Sequence, residues 1–303
     1  MTSRNRQKLF LSLQISLFCL SIALHPPQKG NERVSAAEIS SSQISKLANG
    51  SPSQADILSL KRLGTPVVKV LSSVAQNDQE KLKVRLFAIG VLGEMGVDAK
   101  SAVPTLAQAA RDRNASIRLK AIRALAEIGP VAKSAIPDLS VALKDTDEQV
   151  RLEAANALGK MGDAAKTAVP SLVEALSDPR QAVRVSAIHA LSSLGAEAKP
   201  AMADLTQALS DPQREVRVSA IVALGRLGEA SKGAVPMLAQ SLNDPDKDIR
   251  LKATTALGVL AQKPARRFLN WLKHCDTAIA TLDRLPRSPW AKLDLGQRWP
   301  FLN

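Results

Sequence analysis

Ser186, His189 and Ser193 stand three and four residues apart, so on a helix two hydroxyls and an imidazole would share one face. A serine activated by a neighbouring histidine is the pairing of nucleophilic acyl transfer, and Ser219 holds the position 33 residues after Ser186. That chemistry also needs a carboxylate to orient the imidazole and donors to hold an oxyanion, and no such groups are evident around His189. His189 therefore reads as a surface residue. The chain has three His and two Cys, with no His-x-x-x-His, no paired Cys and no Gly-rich phosphate loop. We accordingly expect no catalytic, metal or cofactor site, and a protein that works by holding a partner.

The residues that do recur are structural. The dipeptide Val/Ile-Arg places Arg85, Arg118, Arg151, Arg184, Arg217 and Arg250 at intervals of 33 without insertion, the mark of stacked units that are each too small to bury their own apolar face. Within one unit Val183, Val185, Ala187, Ile188, Ala190, Leu191 and Leu194 fall on a broad helical stripe, predicting a second helix in each pair. Asp178-Pro179, Asp211-Pro212 and Asp244-Pro245 predict its start, with the carboxylate capping backbone N–H groups. Gly96, Gly129, Gly162, Gly195 and Gly228 predict its end. The first helix of the next pair opens at Val103-Pro104, Ile136-Pro137, Val169-Pro170 and Val235-Pro236, with Met202-Ala203 lacking the proline. Leu106, Leu139, Leu172 and Leu238 then point to the core. Aromatic residues make up only 3 % and Tyr is absent, so alanine pairs such as Ala154/Ala157 and Ala220/Ala223 must let helices approach closely.

A period of 33 also suits ankyrin repeats and nearly suits tetratricopeptide repeats, but no unit has a Thr-Pro-Leu-His run or the Trp, Tyr and Phe positions of those families. The pattern Val-Pro-x-Leu, Asp-Pro, then Val-Arg-x-x-Ala-x-x-Ala-Leu-Gly resembles bacterial HEAT-like repeats, including those named for phycobilisome lyases, over about residues 82–261. The resemblance implies an all-α fold, a right-handed α-solenoid of stacked antiparallel helix pairs. It also implies that each recurring Arg and the Asp before it join adjacent units in a polar ladder. Lys100, Lys133, Lys166, Lys199 and Lys232 form a second row near helix ends, where cations are favourable. HEAT-type iron hydroxylases acting on deoxyhypusine need His-Glu pairs, and no Glu follows His189 or His274, so that resemblance stops at the fold.

In HEAT-like stacks the second helices commonly line the concave side. Counted from the Val/Ile before each Arg, positions three, six and ten are Lys120, Arg123, Glu127; Glu153, Asn156, Lys160; Ser186, His189, Ser193; and Ser219, Val222, Arg226. This strip mixes signs and carries little net charge, which favours a protein or peptide ligand over a nucleic acid. The family resemblance leaves a phycobilin lyase-like accessory factor for chromophore attachment as an alternative, in which case the chain would work in the cytoplasm.

Composition divides the chain further. Arg4, Arg6 and Lys8 before an apolar stretch at Leu9–Leu24 predict a signal peptide over 1–36, cleaved after Ala36, or an uncleaved signal anchor. Either puts the rest outside the cytoplasm, in a periplasm or thylakoid lumen. Loss of Cys19 would leave Cys275 alone and no internal disulfide. Residues 37–57 read as a polar Ser-rich linker, 58–81 as a degenerate N-terminal capping unit, and 82–261 as the repeats. Residues 262–303 read as a capping helix carrying Leu269, Leu272, Cys275, Ile279 and Leu282, then a basic-aromatic tail with Trp290, Trp299, Arg287, Lys292 and Arg298. Of the net charge of +13, residues 1–81 hold +5, the repeats +3 and residues 262–303 +5. A nucleic-acid binder would concentrate cations on the folded platform. The tail instead raises a membrane-surface adaptor as a further alternative.

Overall fold

The computed structural model describes residues 39–261, and the targeting segment, the C-terminal helix and the tail expected above lie outside the described residues. Packing divides the chain after Asp204 into two compact units. Among the described residues all regular structure is helical.

The first unit opens with α1 (Ser41–Asn49), α2 (Gln54–Arg62) and α3 (Thr65–Gln76). Residues expected as a linker are thus mostly helix, and the reason lies in where the serines sit. Ser40 and Ser53 are N-caps, each in a reciprocal capping box with the polar residue three positions on, Gln43 and Asp56. Ser53 N–H donates to Asp56 Oδ2 at 2.9 Å, and Asp56 N–H returns to Ser53 Oγ at 3.3 Å. Helix α1 buries Ile44, Leu47 and Ala48, and the Ser45 hydroxyl donates to Glu80 at 2.7 Å. Helical structure therefore begins at Ser41, before residue 58, where the expected capping unit starts.

Helix pairs follow. Second helices are α4 (Leu82–Met95), α6 (Ala115–Ile128), α8 (Glu148–Met161) and α10 (Gln181–Ser193); first helices are the shorter α5 (Val103–Ala109), α7 (Ile136–Ala142) and α9 (Val169–Ala175). Helix α11 (Met202–Gln207) runs across the unit boundary. The second unit continues with α12 (Arg214–Leu227), α13 (Val235–Gln240) and α14 (Lys247–Ala261).

Proline occupies the first turn of α5, α7, α9 and α13, where its missing N–H costs nothing. Leu106, Leu139 and Leu172 in the first unit and Leu238 in the second are fully buried. The second helices start two residues later than Asp178-Pro179 and Asp211-Pro212 suggest: the N-caps are Arg180 and Gln213, at the register of Asn114 and Asp147 in the earlier repeats, because the Asp-Pro pair forms the turn that precedes the helix. After each second helix comes a glycine with φ between 53° and 74°, at Gly96, Gly129, Gly162, Gly195 and Gly228. With ψ at −129° for Gly96 and −138° for Gly162, this is a region closed to residues with a Cβ. Each such glycine opens a seven-residue 3₁₀ segment, Gly96–Ala102 being the first, which delivers the chain to the next first helix.

Small residues set the spacing between second helices. A Cβ added to Gly93 would lie 2.9 Å from Ala124 Cα, and one on Gly159 would lie 3.1 Å from Ala190 Cα. In the second unit Gly225 meets Ala256 in the same way. Ala154, Ala157, Ala220 and Ala223 are buried, and the core is built of Ala, Leu, Val and Ile at short helix separation. No described helix is long and apolar enough to cross a membrane.

Candidate functional site

Arg85, Arg118, Arg151 and Arg217 each join the stretch before their own helix to the turn of the next repeat. In the first unit Arg151 donates from Nη1 to the Asp145 carbonyl at 2.8 Å and from Nε to Asp178 Oδ2 at 2.6 Å. Arg118 does the same with the Asp112 carbonyl at 2.9 Å and both Asp145 carboxylate oxygens at 2.7 Å. Arg85 reaches Asp112 Oδ2 at 2.6 Å, and in the second unit Arg217 pairs with Asp244 at 3.0 Å. Arg184 and Arg250 donate to the carbonyls of Asp178 and Asp244, both at 2.8 Å. The ladder expected from the family resemblance is present, with one refinement. At Arg118, Arg151, Arg184, Arg217 and Arg250 the Asp before the arginine supplies its backbone carbonyl, and the charged partner, where one is seen, is the Asp 27 residues after it; Arg85 instead donates to the Ala75 carbonyl and pairs with Asp78 at 3.4 Å as well as with Asp112.

The same carboxylates close their own turns: Asp145 Oδ1 accepts from Asp147 N–H at 2.9 Å and Asp178 Oδ1 from Arg180 N–H at 2.8 Å. Burial alone pushes the Asp145 carboxyl up, but the hydrogen bonds from Arg118 and Asp147 N–H outweigh it and hold the group below its ordinary value. At Asp112 burial is likewise outweighed, by Asn114 N–H and the Arg85 guanidinium. In the second unit Arg214 bonds Asp246 at 2.5 Å and Asp248 at 2.7 Å, and mainly through the first of these the Asp246 carboxyl falls to about 2. These groups are polar fasteners between repeats, and their charges are spent on one another.

The residues of the expected partner-binding strip differ in exposure. Lys120, Arg123, Glu127, Lys160, His189 and Ser193 are exposed, and Glu153 and Asn156 are half-buried. Ser186 and Ser219 were expected to face outward, yet each is only 8 % exposed. Close helix approach reaches that register: in the first repeats the Lys120 side chain lies over Gly90, and a serine too short to extend past the neighbouring helix is covered. In the second unit Val222 is half-buried and Arg226 exposed. Two ion pairs run along the strip, Arg123 to Glu153 at 2.7 Å and Lys160 to Glu127 at 2.6 Å. Four of the strip's charges therefore neutralise each other across repeats.

Two features escaped the sequence reading. Helix α4 carries the same register in Phe87, Gly90 and Glu94, which the offset from Val84 would have located. Directly after each ladder arginine stands an aliphatic residue, and Leu86, Leu119, Leu152 and Val185 are all half-buried, forming an apolar row beside the polar strip. Val185 belongs to that row, unlike the fully buried Val183, Ala187, Ile188 and Leu191 of its helix.

Ser193 Oγ donates to the His189 carbonyl at 3.0 Å, Ser186 is buried, and Ser219 belongs to the second unit. Among the described residues no group of three or more His, Cys, Asp or Glu could hold a metal. Notches between the first-helix ends of the first unit are lined by Arg111, Asp112, Lys144 and Asp145, so their polar groups are those already fastened in or beside the ladder. The Lys row is exposed throughout, and Lys232 pairs with Glu229 within its own turn.

No curated protein matches the chain. Among solved structures, an engineered protein is 22 % identical over 81 % of this chain and 68 % of its own, with a TM-score of 0.56. The archaeal HEAT-like repeats protein from Thermococcus onnurineus NA1 is 17 % identical over 74 % of this chain and 98 % of its own, with a TM-score of 0.54. Both likenesses are of fold. The complex of CpcE and CpcF of phycocyanin lyase from Nostoc sp. PCC7120 is 25 % identical over 64 % of this chain and 77 % of the other, but its TM-score of 0.46 carries no argument. The sequence model described as HEAT repeats matches residues 68–141, 136–206 and 202–279, well over half of the chain, and with the fastened helix pairs this places the chain in the HEAT-repeat family.

Proposed function

We propose that the protein is a non-catalytic interaction scaffold that binds a protein or peptide on its second-helix face and acts outside the cytoplasm. The observation that carries this reading is the variation at one register of the first unit. Gly90, Arg123, Asn156 and His189 follow one another at the same position of α4, α6, α8 and α10, while the core beneath them repeats. An apolar row edged by polar side chains is the composition of a protein interface, and the mutual pairing of Arg123 with Glu153 and Lys160 with Glu127 removes the field a polyanion would need. Export rests on the basic-then-apolar start of the sequence.

Compartment separates this reading from a cytoplasmic bilin-lyase-like role more sharply than any substitution. N-terminal sequencing of the chain recovered from fractionated native cells is expected to give a start near Ala37 in the exported fraction. An intact cytoplasmic chain would remove the export part of the proposal and make tetrapyrrole binding the next measurement. The membrane-adaptor alternative rests on Arg287, Lys292 and Arg298, outside the described residues.

A further inference from the structure

Residues 39–261 contain one Phe and no Tyr or Trp, and their core is filled by Ala, Leu, Val and Ile. That one aromatic, Phe87, is not in the core. It stands half-buried on the outer side of α4, at the register that carries Lys120 on α6 and Glu153 on α8, so stacking of the repeats does not call for an aromatic there. On the same helix Leu82 is 43 % exposed, and Leu86, one turn later, is half-buried. Three residues beyond Phe87, Gly90 takes the place of Arg123, Asn156 and His189 on the later second helices. A Cβ built on Gly90 would lie 2.8 Å from Lys120 Cε and 3.1 Å from its Nζ. The Lys120 stem therefore lies across α4 and adds to its apolar surface, with the ammonium held against the helix. Arg123 and Lys160 are engaged by Glu153 and Glu127, whereas among the described residues neither Lys120 nor Lys83, one turn before Phe87, takes part in an ion pair.

We propose that this end of the second-helix face anchors an acidic segment of a protein partner, in which an Asp or Glu adjoins a large apolar residue. The inference rests on the second helices being the binding face, and it adds where on that face the partner is held and by what chemistry. The apolar residue packs on Leu82, Leu86 and Phe87, since an aromatic among aliphatics at a protein interface is where binding energy concentrates. The neighbouring carboxylate pairs with the Lys120 ammonium, and Lys83 supplies a second cation of the same sign. A basic segment would meet two unneutralised cations at this place, and a neutral one would leave both without a counter-charge.

Selection of random peptides displayed on phage against the full chain, followed by affinity measurements on synthetic copies of the selected peptides, tests the proposal. Enriched peptides are expected to carry Asp or Glu beside Leu, Ile, Phe or Trp, and Phe87→Ala or Lys120→Glu should weaken their binding about tenfold or more. Two milder variants separate recognition from folding. Lys120→Gln removes a charge that holds no ion-pair partner, and Gly90→Ala gives α4 a better helix former while only the flexible end of Lys120 has to yield. Both should keep or raise the urea midpoint and still weaken binding severalfold. Enriched peptides that lack the acidic-apolar pair but lose affinity in Asn156→Arg would overturn this anchor and leave the second-helix face as the binding face. Failure to enrich any peptide, or affinities that none of these substitutions changes, would overturn the anchor as well, the latter together with the face. A dimer of the full chain that Lys120→Glu converts to monomer would make a second copy the occupant and likewise overturn the proposal.

Discussion

Arg151→Ala is expected to lower the unfolding free energy by about 3–5 kcal/mol, the range for removing one partner of a buried ion pair. The side chains of Arg151 and Asp178 are 12 % and 7 % exposed, so water cannot take the place of the lost guanidinium. Truncation leaves the Asp178 carboxylate with a single backbone donor, from Arg180 N–H, and strips a donor from the carbonyls of Asp145 and Thr146. Arg151→Lys should recover only part of the loss, because a single ammonium cannot span the carbonyl of one turn and the carboxylate of the next. By contrast Arg123→Ala breaks an exposed pair and should fall within about 0–1 kcal/mol. Urea unfolding followed by far-UV circular dichroism gives all three values. An Arg151→Ala loss no larger than that of Arg123→Ala would mean that the ladder does not fasten the repeats.

The second large effect is expected at acid pH, where several rungs weaken together. The carboxyls of Asp112, Asp145 and Asp246 titrate below their ordinary value in the folded chain, Asp246 at about 2. A depressed folded pKa contributes stability that is fully present above the unfolded pKa, about 3.9, and is lost as pH falls through the folded value. The urea midpoint should therefore hold steady from pH 7 to about 5 and drop steeply between about 4 and 2. Salt should change that drop little at Asp112 and Asp145, whose partners exclude much of the solvent. A midpoint that stays level down to pH 2 would show that these carboxylates are equally favourable in the unfolded chain.

Most of the fold is legible in the sequence because its determinants are local and repeated. Proline at helix starts, glycine after helix ends and an apolar stripe between them recur at 33-residue intervals, so each unit corroborates the last. Misreadings arose where composition stood in for position. The serines of residues 37–57 suggested a linker, yet Ser40 and Ser53 each have the capping partner three residues later that marks a helix start. Asp178-Pro179 carries the right residues for a helix start, but its carboxylate turns toward the neighbouring repeat's arginine and leaves the N-cap to Arg180. Which Asp an arginine meets depends on how repeats stack, and a separation of 27 residues is invisible without that geometry.

The candidate site was legible in outline only. Periodicity located the outward register of each second helix, and exposure of Lys120, Arg123, Glu127 and His189 agrees with it. It could not show that Ser186 would be covered by a close neighbour, since helix separation is set by glycine and alanine on other helices. Nor could it show that opposite charges would pair across repeats, which turns a strip of mixed sign into one of little net field. What remains available for recognition is the apolar row of Leu86, Leu119, Leu152 and Val185 with Phe87, Asn156 and His189 beside it.

The most direct measurement is site-specific photo-crosslinking in native cells, with a photoreactive phenylalanine analogue placed in turn at Asn156 on a second helix and at Val141 on a first helix. Val141 is the more exposed position, 58 % against a half-buried Asn156, so accessibility alone favours it. The scaffold reading predicts a discrete protein adduct from Asn156 and none from Val141. Adducts of equal yield from both positions, or from Val141 alone, would contradict a binding face on the second helices.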